Sequence, residues 1–187
     1  MEFLDYYNHP KNFRFKSFEF ALLEAQKRNH KVFVETGVAR GKQKFLFFSR
    51  INWKDGMSTL IFSDYVRFVN GNLTSCDISA KNIENAKKFT KKNKEFINFV
   101  VDDSINFLTK FNKNIDFLYL DSLDGQYENA SKHQLNEIQV ALKHLHKNSL
   151  VLLDDKGAKT NLSIEYMLEN DLKILNETKE QVLLCYK

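Results

Sequence analysis

Proline occurs once in 187 residues, at Pro10, and cysteine twice, at Cys76 and Cys185. No low-complexity tract, repeat or internal linker interrupts the chain. No apolar run approaches the ~20 residues that a membrane-crossing helix needs. The start, Met1-Glu2-Phe3-Leu4-Asp5, lacks the basic and apolar stretches of a signal peptide. Both cysteines fall in expected strands, so reduced, buried thiols and a cytoplasmic location are expected. The net charge is only +4. That balance does not call for nucleic acid, which usually meets a concentrated basic face. Lys87, Lys88, Lys91, Lys92 and Lys94 sit together on an expected helix, and a solvated outer face accounts for them.

Hydrophobic residues make up 43% of the chain, and phenylalanine alone contributes 17. This is enough for a sizeable core. The length fits one domain spanning 1–187, with an N-terminal segment and helix over 1–30 and an insertion over 42–55.

The organising pattern is an apolar run that ends on an acid. Val32-Phe33-Val34-Glu35 leads into Thr36-Gly37-Val38-Ala39-Arg40-Gly41. Further runs end at Asp77, at Asp102 and Asp103, at Asp121, and at Asp154 and Asp155. Buried parallel strands stopping at a ligand-binding edge produce such runs, and a glycine-lined turn after the first is a nucleotide-site signal. Between them lie helical patterns: Ser17 to Asn29 with Ser17 as N-cap, a helix after Asp55-Gly56, Ser79 to Lys94, Ser104 to Phe111, Asn129 to His146, and Gly157 to Glu169. The tail reads as two strands with a five-residue link, 176–180, too short for a parallel crossover. The expected fold is α/β: a Rossmann-like three-layer sandwich whose mostly parallel sheet of about seven strands ends in an antiparallel hairpin.

From about Lys31 onward the chain resembles the class I S-adenosylmethionine-dependent methyltransferases. Glu35 to Gly41 is similar to that family's acid-x-Gly-x-x-x-Gly motif, and Asp77, Asp103-Ser104 and Asp121 follow in the family's order. The resemblance implies S-adenosyl-L-methionine as cofactor. Glu35, Thr36, Gly37 and Gly41 would line its amino-acid tail, Asp77 its ribose, and Asp103 and Ser104 its adenine. Glu35 would meet the tail's ammonium or simply hold the loop. Within the family the chain looks like the small metal-dependent O-methyltransferases of the catechol and caffeoyl-CoA type. That likeness implies Mg²⁺ or another divalent cation on Asp121, Asp154 and Asp155, and catalytic roles for Asp121 and Asp124. Two positions depart from the pattern. Asp155 stands for an asparagine, and Asp124 stands near a catalytic lysine.

The expected activity is O-methylation of a small-molecule acceptor, with a second subunit of a homodimer able to complete an otherwise open pocket. The alternatives are a nicotinamide-dependent oxidoreductase and a non-catalytic nucleotide- or RNA-binding module. His133 and Tyr127 are candidates to touch substrate, and His144 with His146 for metal, though surface or packing roles suit all four. Phe45, Phe47, Phe48 and Trp53 in the insertion would form a lid or an extra packed helix.

Overall fold

The computed structural model describes residues 1–45 and 48–187, with side chains at 42–50 and 55 left aside. Phe47 of the expected lid lies outside the described residues, as do the side chains of Phe45 and Phe48.

A short 3-10 turn, Glu2–Tyr7, precedes helix α1, Phe15–Lys27. Strand β1, Val32–Thr36, follows. The insertion is an antiparallel pair, β2 (Lys42–Phe45) and β3 (Phe48–Ile51), and not the expected loop or helix. Then come α2 (Ser58–Phe68), β4 (Asn72–Asp77), α3 (Ala80–Phe89), β5 (Ile97–Val101) and α4 (Ser104–Lys110). The chain finishes with β6 (Ile115–Leu120), α5 (Ala130–Ala141), β7 (Leu145–Leu153), α6 (Asn161–Glu169), β8 (Leu172–Glu177) and β9 (Val182–Tyr186). The main sheet has seven strands in the order β5-β4-β1-β6-β7-β9-β8. Pairings up to β7 are parallel, and β9 runs antiparallel to both neighbours. The expected sandwich and terminal hairpin are therefore present.

Strand period explains the apolar runs. Successive side chains point to opposite faces, so a run can feed two cores at once. Phe33, Phe117, Tyr119, Leu150, Leu152 and Leu183 pack on one face against α1 and α2. Val34, Leu118, Leu120, Val151, Leu153 and Val182 pack on the other, against α4, α5 and α6. The first face is aromatic. Phe33 stacks on Phe117 with centroids 4.5 Å apart, and Phe62 meets Tyr119 edge-on at 5.2 Å. Both cysteines are buried and free, as expected. Among the described residues, no helix is long and apolar enough to cross a membrane.

Three boundaries differ from expectation, each for a tertiary reason. Helix α1 begins at Phe15, so Ser17 sits in its first turn and not at the cap. The Phe18 amide donates to the Arg14 carbonyl at 3.0 Å, and Phe15, Phe18 and Leu22 are buried together. The basic helix stops at Phe89, because Asn93 is pulled inward to donate to Asp64 at 2.6 Å. Helix α5 stops at Ala141, because Leu145 is already paired with Ile115 in the sheet. That last change separates the two histidines. His146 bonds Asp116 at 2.9 Å, whereas His144 bonds the Leu108 carbonyl at 2.9 Å, so they form no ligand pair.

Phe117 is fully buried and stacked. Phe117→Ala should cost about 3–5 kcal/mol of unfolding free energy in a urea titration. A loss below ~1 kcal/mol would contradict the aromatic layer as a main source of stability.

Candidate active site

Register places the acids. Thr36 lies beside Cys76 and Leu120, and Leu120 lies beside Leu153. The residues that follow Thr36, Cys76, Leu120 and Leu153 therefore emerge in one row: Gly37, Asp77, Asp121 and Asp154. Crossovers from β1 go to β4 on one side, while β6 lies on the other. This is the switch point at which open α/β sheets bind ligands.

Gly37 seats the loop. Its φ is +79°, and an added Cβ would stand 2.1 Å from the Asp121 carbonyl oxygen. A side chain is excluded on both counts. At Gly41, φ is +70° and a Cβ would strike the Phe89 ring at 2.1 Å. Below the loop, Glu35 is fully buried. Ser58 Oγ donates to it at 2.5 Å and Ser75 Oγ at 2.7 Å. Burial pushes its carboxyl up to about 7, against the opposing pull of these hydroxyls. Of the two roles expected for Glu35, the geometry matches holding the loop: it ties β1 to β4 and to the start of α2. Thr59 Oγ1 extends the tie by accepting the Ala39 amide at 2.8 Å. Thr36 is wholly buried with an unpartnered hydroxyl, so its side chain is kept from the cleft and does not line the tail site as expected.

Two adjoining hollows of about 220 and 230 Å³ open above this loop. They share Gly37, Asp77, Ile78, Ser122 and Leu123, so they form one trough. Asp77 accepts the Val38 amide at 3.1 Å, the Ser79 amide at 2.7 Å and Asn82 Nδ2 at 3.2 Å. These bonds fix its carboxylate at the trough wall. Ile78 beside it is 74% exposed and offers an apolar surface. At the far end, His133 Nε2 lies 3.1 Å from Ser104 Oγ and 3.0 Å from Ser122 Oγ. Asp103 lines the same end, and its Oδ1 accepts the Asn106 amide as the N-cap of α4. At the other end stand Asp121, Asp124 and Tyr127, with Arg40 3.7 Å from Asp124.

The expected carboxylate cluster does assemble. Oxygens of Asp121, Asp154 and Asp155 come within 4.8 Å of one another. The chain itself fills it with cations. Arg14 reaches Asp154 at 2.6 Å through Nε and Asp155 at 2.9 Å through Nη2. Lys159 Nζ lies 3.1 Å from Asp121 and 3.3 Å from Asp155. Gln181 Nε2 donates to Asp154 at 2.7 Å, and the Gly125 amide to Asp155 at 3.3 Å. A hard divalent ion needs several oxygens turned to one point. Here nitrogen donors already hold Asp121 Oδ1, Asp154 Oδ1 and both Asp155 oxygens. The expected ligand residues converge, but with these nitrogens in place their arrangement does not fit a bound metal. The charges also sort the carboxyls. Burial would raise Asp155, but Lys159 and Arg14 overcome it and hold the group below its usual range. Burial and then the Asp154 charge lift Asp121 well above that range, with Lys159 opposing. Burial lowers Lys159, but the three aspartates win and raise it.

Several of these residues were invisible in the sequence. Arg14 lies 140 positions from Asp154 and carried no local signal. Lys159 did carry one: it stands four residues after Asp155, within reach of one helical turn. Gln181 is placed by the antiparallel pairing of Leu153 with Val182, which brings the tail beside Asp154.

The strand order, glycine turn and acid row define a class I methyltransferase architecture. A methyltransferase-domain family matches residues 34–156, and the chain belongs to that family. Among curated proteins, none matches significantly. Solved structures share the fold at low identity. The SAH-bound methyltransferase PaMTH1 of Podospora anserina aligns with a TM-score of 0.67 at 14% identity, covering 100% of this chain and 86% of that one. The O-methyltransferase NovP gives 0.66 at 10% identity, covering 92% and 78%. An rRNA methylase from Streptococcus thermophilus gives 0.62 at 10%, covering 89% and 94%.

Glu35 makes stability depend on pH in a defined sense. Its folded value of about 7 lies above the ordinary 4.5, so between these the folded state keeps a proton that the unfolded chain has lost. Its contribution therefore falls as pH rises through that window, by up to ~1.4 kcal/mol per unit. Glu35→Gln should flatten this part of the stability profile in chemical denaturation at pH 5, 6 and 7 (~1 unit steps). An unchanged slope would contradict a protonated buried carboxyl.

Proposed function

We propose that the chain transfers the methyl group of S-adenosylmethionine to an oxygen of a small molecule seated by Asp121, Asp124 and Tyr127. The observation that carries this reading is the trough at the switch point, with the Gly37 backbone on its floor and the Asp77 carboxylate on its wall. The cofactor supplies a methyl group on a sulfonium, ready for in-line displacement by a nucleophile.

Each part of the trough suits one part of that cofactor. The Gly37 backbone allows close approach of the amino-acid tail. Asp77, held by its own loop, presents carboxylate oxygens to a pair of ribose hydroxyls, as in dinucleotide sites. The adenine then lies over Ile78, toward Ser104 and His133. In this arrangement Asp103 shapes the adenine end by capping α4, and Glu35 and Thr36 act from beneath.

The acceptor sits at the other end, next to Asp121. A hydroxyl must lose its proton as the new carbon–oxygen bond forms. Asp121 has a raised proton affinity and borders the trough, so it serves as the base. Asp124 and Arg40 at the mouth bear on polar groups of the acceptor. Orientation supplies much of the rate, since proximity alone is worth ~7–11 kcal/mol. The divalent cation implied by the catechol-type likeness has no part in this mechanism, because Arg14 and Lys159 already neutralise the cluster. The family match sets aside a nicotinamide-dependent reaction.

Calorimetric titration with S-adenosylhomocysteine tests the reading. Micromolar binding is expected, with NADH giving no heat. Asp77→Ala should weaken binding by roughly 10–100-fold, the worth of hydrogen bonds to a charged acceptor. No heat at millimolar S-adenosylhomocysteine would overturn the assignment.

A further inference from the structure

A buried ammonium needs partners. Lys159 is 3% exposed, and leaving such a charge unpaired in the interior costs several kcal/mol. Three convergent carboxylates have the opposite problem, since like charges at short range resist joint ionisation. In this cleft each solves the other. Lys159 lies between Asp121 and Asp155, and Arg14 lies between Asp155 and Asp154. The pairs form a continuous chain of alternating charge, closed at its Asp154 end by Gln181.

This arrangement is built from distant parts of the molecule. Arg14 comes from the segment before α1 and is itself fixed by donating to the Lys54 carbonyl at 2.9 Å. Gln181 is clamped in turn by Ser17 and bonds the buried Tyr119 hydroxyl at 3.3 Å. Lys159 packs under the 122–127 loop, its Cβ only 3.6 Å from where a Cβ on Gly125 would stand. The side chain is 2% exposed, so the ammonium is held inside the cleft beside its two carboxylates.

We propose that Lys159 and Arg14 are the resident cations of the cleft, occupying with side chains the position a divalent ion would take, so that methyl transfer here requires no added metal. The proposal rests on the methyltransferase reading above. Lys159 is a positioning residue: it holds Asp121 Oδ1 at the trough edge and fixes the direction from which that carboxylate meets the acceptor hydroxyl. An entering Mg²⁺ or Mn²⁺ would have to displace the Arg14 and Lys159 side chains and strand the buried Lys159 ammonium, which wild-type protein resists.

Removing the ammonium should therefore create a metal site. The experiment is an Mn²⁺ titration of the full chain, read from the paramagnetic resonance of free Mn²⁺, run beside S-adenosylhomocysteine calorimetry with and without EDTA. Wild-type protein should leave the free Mn²⁺ signal undiminished at millimolar ion, and EDTA should not change its affinity for S-adenosylhomocysteine. Lys159→Met keeps most of the stem and drops the charge, and should bind Mn²⁺ at least roughly tenfold more tightly than wild type. Lys159→Arg should behave like wild type. Micromolar Mn²⁺ binding by wild type would overturn the proposal, and so would a Lys159→Met variant no tighter than wild type. If Lys159→Met does not fold, Arg14→Gln takes its place, with the same gain expected and the same absence of gain fatal. Failure of wild type to bind S-adenosylhomocysteine would instead sink the methyltransferase reading and leave the Mn²⁺ result to stand on its own.

Discussion

The approach of the Gly37 backbone to the Asp121 carbonyl sets everything else at this sheet edge. β1 and β6 are adjacent parallel strands, and their ends must turn away in different directions to leave room for a ligand. A Cβ at Gly37 would close that gap, at 2.1 Å from the Asp121 oxygen. With the gap open, Asp77 stands on one side of the turn and Asp121 on the other. The trough runs between them.

The support beneath the turn is polar, which is unusual in a core and costly unless satisfied. Glu35 accepts from Ser58 and Ser75, and Thr59 accepts from the Ala39 amide. These bonds join two strands, a loop and a helix start at one buried carboxyl. An apolar residue at this position would fill the space but would not specify which loop conformation sits above it. The same logic operates around Asp154. There, Gln181 and Arg14 tie the C-terminal hairpin and the N-terminal segment to Asp154. Each end of the trough is thus held by a network whose members come from separate elements.

The sheet was legible in the sequence because its signal is local and repeated. Each apolar run ended on an acid, and the register converts those acids into one row. The cleft residues Gly37, Asp77 and Asp121 follow from that row. Helix ends were less legible. The residues that move them, such as Asn93 reaching Asp64 and Leu145 pairing with Ile115, act across the fold and leave no periodic mark. Least legible was the character of the acidic cluster. Asp121, Asp154 and Asp155 announced a concentration of negative charge, but the identity of its counter-charge depended on Arg14, a residue with nothing nearby in sequence to connect it. Spacing can reveal that charges will meet. It cannot reveal which distant side chain arrives to neutralise them.

The departure at Asp155 becomes intelligible on this basis. An asparagine there would offer an oxygen to only one of Arg14 and Lys159 and turn its amide hydrogens toward the other. Aspartate offers an oxygen to each: Oδ1 to Arg14 at 2.9 Å and Oδ2 to Lys159 at 3.3 Å. Its φ of 55° lies in the left-handed region, which asparagine and aspartate tolerate better than most residues, so the backbone demand is met by either. What distinguishes them is charge. Only a carboxylate can accept from the Arg14 guanidinium and the Lys159 ammonium at once. The extra carboxylate, the lysine under the loop and the arginine before α1 are therefore one linked solution, in which a change at any member alters the electrostatic requirement at the others.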